Sequence, residues 1–252
     1  MLSNQNDKIA AIILAAGQGK RMGGEKLKVM RELGGRPLID FVIESVEKSI
    51  IKNKPVVVAR GGDNSVQDYL GERAEYAIQA EQLGTGHAVA TGEKLLRGNV
   101  QQVVVLYGDV PFVAPESINR LVAVQVASGG VLTLATTIVP DYDGGNSPFW
   151  TLARVERDGA GNIRRIVEKK DCTEAQSAIH EVNAGVYCFN AEWFWDNLRT
   201  LKNDNVQKEY YLTDLIALAI EKKEKISSIS IDPREAIGIN TKEDLEIAGK
   251  FI

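Results

Sequence analysis

Apolar residues in this chain recur in two rhythms. Strand-length runs rich in β-branched residues occupy 9–15, 55–59, 76–78, 103–107 and 131–138, and the stretches between them place apolar residues at helical spacing. That alternation predicts a parallel sheet with crossover helices. Pro37 stands where a first helical residue belongs, followed by Leu38, Phe41, Val42 and Val46 on one face; Pro115 does the same for Ile118, Leu121, Val122 and Val126. Both helices are expected to pack on the sheet. After 140 the rhythm changes. Residues 141–148 read as a turn-rich loop, and 151–156 and 163–168 as a hairpin around Asp158-Gly159-Ala160-Gly161-Asn162, a small β-rich part laid over the sheet. Residues 182–189 predict another strand, 209–223 an amphipathic helix, 226–231 a last strand, and 241–249 a closing helix capped by Thr241.

Composition narrows the class of function more than the fold. The 252 residues are 44% hydrophobic and 25% charged, enough for one α/β domain with a sizeable core. A net charge of −4 with no block of like charge argues against a nucleic-acid face or a polybasic membrane anchor. Any anionic ligand must therefore be gripped locally. The longest apolar run, 9–16, is far shorter than the roughly 18 residues of a membrane span, and the start lacks the basic-then-apolar order of a signal peptide. A cytoplasmic protein is expected. Cys172, Cys188, His87 and His180 are not spaced as metal-binding pairs, so neither a structural zinc nor a disulfide framework is expected.

Three segments carry candidate chemistry. The first strand runs directly into Leu14-Ala15-Ala16-Gly17-Gln18-Gly19-Lys20-Arg21, with Lys28 downstream. A buried strand ending in a glycine-rich loop lets backbone N–H groups converge on an anion, and Arg21 and Lys28 would add charge. Neither the dinucleotide fingerprint nor the P-loop pattern is present, because Met22 stands where a third glycine would. A second segment ends the 103–107 run in Tyr107-Gly108-Asp109. In open α/β sheets ligands bind at the carboxyl ends of strands, so Asp109 and the glycine loop should share one edge. A carboxylate facing a phosphate loop implies a divalent cation, with Mg²⁺ the natural choice. The third segment, Gln79-Ala80-Glu81-Gln82-Leu83-Gly84-Thr85-Gly86-His87, follows a strand and opens a helix; its amides could read a base edge. Taken singly, each has an ordinary structural alternative: a solvated turn, a capping carboxylate, a loop amide and a helix-start histidine.

Together the strings LAAGQGKRM, QAEQLGTGHAV, LYGDVP, IVEKKD, VNAGVY, EYYLTDLIALA and Gly238-Ile239-Asn240 resemble, in order and over nearly the whole chain, the uridylyltransferase domain of bacterial N-acetylglucosamine-1-phosphate uridylyltransferases. The resemblance implies a Rossmann-like three-layer α/β nucleotidyltransferase domain, the nucleotide-diphospho-sugar transferase fold, with a mixed, mostly parallel sheet. It would hold a nucleotide-binding part over about 8–140, a sugar-binding part over about 141–235, and a metal-ligand loop with the closing helix over 236–252. It implies that Leu14, Ala15, Ala16, Gly17 and Gly19 wrap the nucleotide, with Arg21 and Lys28 as phosphate cations. Gln79, Gln82, Gly84 and Thr85 would line the uracil side. Tyr107, Gly108, Ala153, Glu168 and Asn183 would bind the sugar, and Asp109 and Asn240 would hold Mg²⁺, for which Mn²⁺ or Co²⁺ may substitute. The implied substrates are UTP and a sugar-1-phosphate, with no nucleic-acid or membrane partner and an open oligomeric state. Uridylyl transfer needs positioning and charge neutralisation far more than acid–base groups, and two cations, one metal and no obvious general base suit it.

Departures from the family pattern bear on the sugar. Lys20 replaces a threonine, Leu27 a proline and Ala184 a threonine. The family's Tyr-Gly-Arg run is matched best by Leu152-Ala153-Arg154, preceded by the extra stretch 144–150. That stretch reads as a longer surface excursion, with an altered sugar pocket as the other reading. No hexapeptide-repeat tail follows, so no acetyltransferase activity is expected. Rival readings are the same reaction with another sugar or nucleotide, and a non-catalytic nucleotide-sugar-binding module.

Overall fold

A computed structural model describes residues 5–19, 26–205 and 207–252. The chain opens with β1 (Ile9–Leu14), a small hairpin of β2 (Glu32–Leu33) and β3 (Arg36–Pro37), α1 (Leu38–Glu47), β4 (Val56–Arg60), α2 (Ser65–Leu70) and β5 (Glu75–Gln79). It continues through α3 (Thr85–Ala90), α4 (Glu93–Leu96), β6 (Gln102–Tyr107), α5 (Pro115–Ser128), β7 (Leu132–Ile138), β8 (Arg154–Arg157) and β9 (Ile163–Val167). The remainder is α6 (Glu174–Ser177), β10 (Glu181–Asn190), α7 (Ala191–Leu198), α8 (Asp214–Glu221), β11 (Ile226–Ser230) and α9 (Lys242–Ala248).

The main sheet runs β11-β7-β10-β6-β1-β4-β5, with the β8–β9 hairpin attached through β10. Along that path β10 alone is antiparallel to its neighbours, β6 and β7; the other pairs are parallel. The sheet is thus mixed and mostly parallel, a Rossmann-like α/β arrangement. Every residue of β1 is buried because both faces are covered. Ile9, Ala11 and Ile13 face a core with Ile39, Val42 and Ile43 of α1 and Ile118 and Leu121 of α5. Ala10, Ile12 and Leu14 face a second core with Val89 of α3, Phe194 and Trp195 of α7, and Leu215 of α8. Period-two alternation in a fully apolar strand therefore builds two cores and three layers. Among the described residues, no helix is long and apolar enough to cross a membrane.

The structure corrects several expectations. Pro37 is the N-cap of α1 rather than its first residue, whereas Pro115 does open α5. The strand expected from 151 begins at Arg154, because Gly144–Thr151 winds as a 3₁₀ helix. The helix expected over 209–223 begins only at Asp214. Its first residues are taken by another segment: Tyr210 N–H donates to Leu83 O at 2.8 Å, Gly86 N–H to Tyr210 O at 2.8 Å, and Leu212 N–H to Thr85 Oγ1 at 3.0 Å. Backbone groups already paired sideways cannot also form the helical ladder.

Candidate active site

The chain leaves β1 toward β4 and β5 on one side and returns to β6 on the other, so strand order reverses between β1 and β6. Ligands of open α/β sheets bind beyond the carboxyl ends of strands at such a point. The loop after β1 and Gly108-Asp109 after β6 meet there. Gly108 N–H donates to Leu14 O at 2.9 Å. A side chain at 108 would press within 3.0 Å of that oxygen and of Val29 Cγ1, which explains the glycine before Asp109.

Three predicted residues, 212 positions apart at the extremes, converge at this edge. The Lys28 ammonium forms an ion pair with Asp109 Oδ2 and donates to Asn240 Oδ1 at 3.0 Å. Each member is held by its own backbone setting. Lys28 N–H donates to Gly17 O at 3.3 Å, and Lys28 opens a 3₁₀ turn behind Leu27, whose φ of −54° is one that proline also adopts. The exchange of the family's proline for Leu27 therefore leaves the lysine's backbone path intact. Asp109 O accepts from Ile239 N–H at 2.9 Å, tying the 238–240 segment to β6. The Asp244 carboxylate accepts both Asn240 N–H at 2.8 Å and Thr241 N–H at 2.9 Å in the capping box of α9. Asn240 Nδ2 donates to Gly238 O at 3.3 Å, which turns Oδ1 toward the lysine.

On the other side of β1, Gln79 ends β5 and is 3% exposed. Its Nε2 donates to Gly84 O at 3.2 Å and to His87 Nδ1 at 3.1 Å. Both amide protons are thereby engaged, and Oε1 is the end that can accept from a ligand. His87 is an acceptor here, in keeping with a packing role. Gln82 is exposed and donates to Gln79 O at 3.4 Å. Leu14, Ala15 and Ala16 are buried at the mouth of the loop, and Gly17 is exposed. The backbone of Gly19 turns with φ +66° against Lys28. Arg21 lies outside the described residues.

Gly84 has φ +103°, and a Cβ there would sit 2.5 Å from Tyr210 O. Gly84→Ala is therefore expected to destabilise the fold by roughly 2 kcal/mol or more, through backbone strain and the collision. Urea denaturation checks this; an unchanged midpoint would refute the clamp of Tyr210 on the 83–86 loop.

Of the predicted sugar-side residues, Tyr107, Ala153, Glu168 and Asn183 line a cavity of about 190 Å³ together with Asp109 and Asn240, while Gly108 is not in its wall. A larger cleft of about 810 Å³ lies beyond Glu168, between Lys170, Lys202, Tyr211 and Glu221, away from the lysine–carboxylate cluster. Burial raises the Glu168 carboxyl above its ordinary range, opposed by the Thr213 hydroxyl, which donates to Oε1 at 3.1 Å. Burial likewise raises the Tyr107 phenol well above its usual value, keeping it neutral. Thr151 and Leu152 belong to the cavity wall, and Phe149 is only 2% exposed. None of the described residues of the extra stretch 144–150 lines that cavity; the stretch mixes exposed positions such as Trp150 with Phe149 packed into the core. Its anchor is Arg154, wholly buried and donating to the carbonyls of Trp150, Leu152 and Ser177, with its guanidinium 4.2 Å from the centre of the Tyr142 ring.

Sequence reasoning missed Tyr187, Thr213 and the clamp at Tyr210. The stretch from 209 shows a helical period, and that period says nothing of lateral backbone pairing.

Residues 11–205 match the MobA-like NTP transferase domain. The bifunctional protein GlmU of Brevibacillus brevis is 37% identical over 246 residues, covering 97% of this chain and 52% of that protein. Its namesakes from Acetivibrio thermocellus and Latilactobacillus sakei are each 38% identical, over 245 and 243 residues, covering 97% and 96% of this chain and 51% of each relative. The chain spans about half the length of the curated relatives it matches. With the domain match covering the sheet edge where Lys28 and Asp109 meet, and most of the chain around it, this protein belongs to the MobA-like NTP transferase domain family.

Proposed function

We propose that the protein transfers the uridylyl group of UTP to N-acetylglucosamine-1-phosphate, releasing pyrophosphate and UDP-N-acetylglucosamine. The observation that carries this reading is the convergence of Lys28, Asp109 and Asn240 beside a pocket walled by Glu168 and Asn183. A cation, a carboxylate and a carboxamide oxygen at one point fit phosphate chemistry, and a buried carboxyl and amide beside them fit a polyhydroxylated acylamino sugar.

The donor set also fits a divalent ion. Asp109 Oδ2 and Asn240 Oδ1 already share one positive charge, that of the Lys28 ammonium, so the two oxygens converge on a single cation position. One carboxylate and one amide oxygen suit Mg²⁺, which keeps waters and substrate phosphates as its remaining ligands. When bound it would neutralise charge on the α-phosphate and the departing pyrophosphate. Lys28 pairs with phosphate oxygens once nucleotide is present, and the amides of the 15–19 loop orient the triphosphate. Arg21 supplies charge at the leaving pyrophosphate. Gln79 Oε1 accepts the N3–H of uracil, a donor that cytosine lacks at that position. Glu168 accepts a sugar hydroxyl and Asn183 faces the acylamino group. The sugar phosphate is an anion as it attacks the α-phosphorus, so no general base is required. The reading carries with it a water-soluble protein of the cytoplasm.

A second reading, the same transfer to another sugar phosphate, draws on the pocket wall: Leu152 and Ala153 stand in place of the family's Tyr-Gly, with Thr151 beside them. Pyrophosphate release with Mg²⁺ and UTP separates the two when N-acetylglucosamine-1-phosphate, glucosamine-1-phosphate and glucose-1-phosphate are run in parallel, with CTP as the base control. Release dominated by the acetylated sugar with UTP is expected. Preference for another sugar would establish the second reading, and silence with every pair would remove both.

A further inference from the structure

One buried polar group of the sugar pocket has no task in the reading above. Tyr187, on β10, is 1% exposed and lines the same cavity as Glu168 and Asn183. Its hydroxyl accepts a hydrogen bond from Asn183 Nδ2 at 2.7 Å. Residues four apart on a regular strand stand about 13 Å from one another, too far for such a bond. Here β10 loses register against β7 between Asn183 and Tyr187, and the irregularity draws the two side chains together.

This bond and one from the backbone together fix a direction. Asn183 Oδ1 accepts from Gly185 N–H at 3.2 Å, while Nδ2 donates to Tyr187. Rotating the carboxamide by half a turn would set Nδ2 against the Gly185 N–H, donor against donor. A tyrosine serving only the core would need a single carbonyl for its hydroxyl; this one is bonded to a side chain of the pocket itself. The Asn183 carboxamide, held at one proton and one lone pair, keeps a second N–H and a second lone pair. An acylamino group presents the complementary pair, a carbonyl acceptor and an N–H donor, whereas a plain hydroxyl can engage only one.

We propose that Tyr187 is a positioning residue for the sugar pocket: its hydroxyl holds the Asn183 carboxamide in one orientation and thereby sets the preference for an acylamino sugar phosphate over the hydroxyl counterpart. This rests on the uridylyl-transfer reading given above.

The test uses the full chain as wild type, Tyr187→Phe, Asn183→Ala and the double variant, with UTP and either N-acetylglucosamine-1-phosphate or glucose-1-phosphate. Phenylalanine keeps the ring, which lies 5.9 Å from the Phe189 ring, so folding should survive; thermal melting verifies it. Tyr187→Phe should raise KM for the acetylated sugar about tenfold, the scale of one lost hydrogen bond. The KM for UTP and kcat should stay within about twofold, and the preference over glucose-1-phosphate should fall. Because Tyr187 acts through Asn183, the double variant should be no worse than Asn183→Ala alone. An unchanged KM, an equal loss on both sugars or an additive double variant overturns the proposal. The wild-type arm tests the underlying reading separately: no preference for the acetylated sugar there withdraws that reading, and the role of Tyr187 with it.

Discussion

Asp109→Ala should lower metal-dependent turnover by on the order of a thousandfold or more, with the far-ultraviolet circular dichroism unchanged. The side chain contributes the one carboxylate of the pair that faces Lys28, and it is 8% exposed, so its charge acts where water screens little. The structural work at this position is done by the backbone: Asp109 O accepts from Ile239 N–H, a bond the alanine keeps. Loss of turnover without loss of fold separates a metal-holding role from a turn-forming one. Pyrophosphate release within about tenfold of wild type would refute the assignment of Asp109 to the metal, since removal of a charged ligand should cost more than that.

Lys28→Met should act in two opposite directions. Turnover should fall by roughly a hundredfold to a thousandfold, because a cation on the reacting phosphates is lost while the stem that packs against Gly19 is kept. Metal binding by the nucleotide-free protein should instead become tighter. In the structure the ammonium occupies the one position that Asp109 Oδ2 and Asn240 Oδ1 share, so a divalent ion must displace it before it can bind. Two like charges a few ångströms apart at an effective dielectric of about 20 repel by several kcal/mol, enough for an affinity gain of at least about tenfold. Mn²⁺ titration followed by electron paramagnetic resonance, without nucleotide, reads this directly. Weaker Mn²⁺ binding in the variant would show that the lysine supports the cation position instead of competing for it. On the proposed reading, the same competition would tie metal binding to nucleotide in the wild type, because phosphates that draw Lys28 away would free both oxygens.

Much of the scaffold was legible in the residues. The uniformly apolar run 9–14 could only be a strand covered on both faces, and Pro115 marked the first residue of α5. Likewise the Thr241 cap announced α9, because a threonine with a carboxylate three residues on satisfies helix-end N–H groups locally. The candidate site was legible in part for the same reason. Gly108-Asp109 and the loop after β1 had to share the carboxyl edge once the strands were parallel.

Other features depend on residues far apart in the chain, and no local period encodes them. The helix expected from 209 gave way to pairing with the 83–86 segment because its backbone groups found partners more than a hundred positions away. The extra stretch before Ala153 is tied down at its end because Arg154, wholly buried, draws the Trp150 carbonyl and the Tyr142 ring around its guanidinium. Tyr187 looked like one more apolar position of a strand, and only the lost register of β10 sets its hydroxyl on Asn183. From residue order alone came the class of fold and the sheet edge at which the loop after β1 meets Asp109, since these follow from strand burial and handed crossovers, both local rules. Tertiary packing decided which polar groups touch there: that Lys28 stands between Asp109 and Asn240, that Gln79 presents its oxygen, and that the Asn183 amide is held one way round. Contacts of that kind are chosen by competition among many partners for each buried donor and acceptor, and that competition is resolved only when the whole chain is in place.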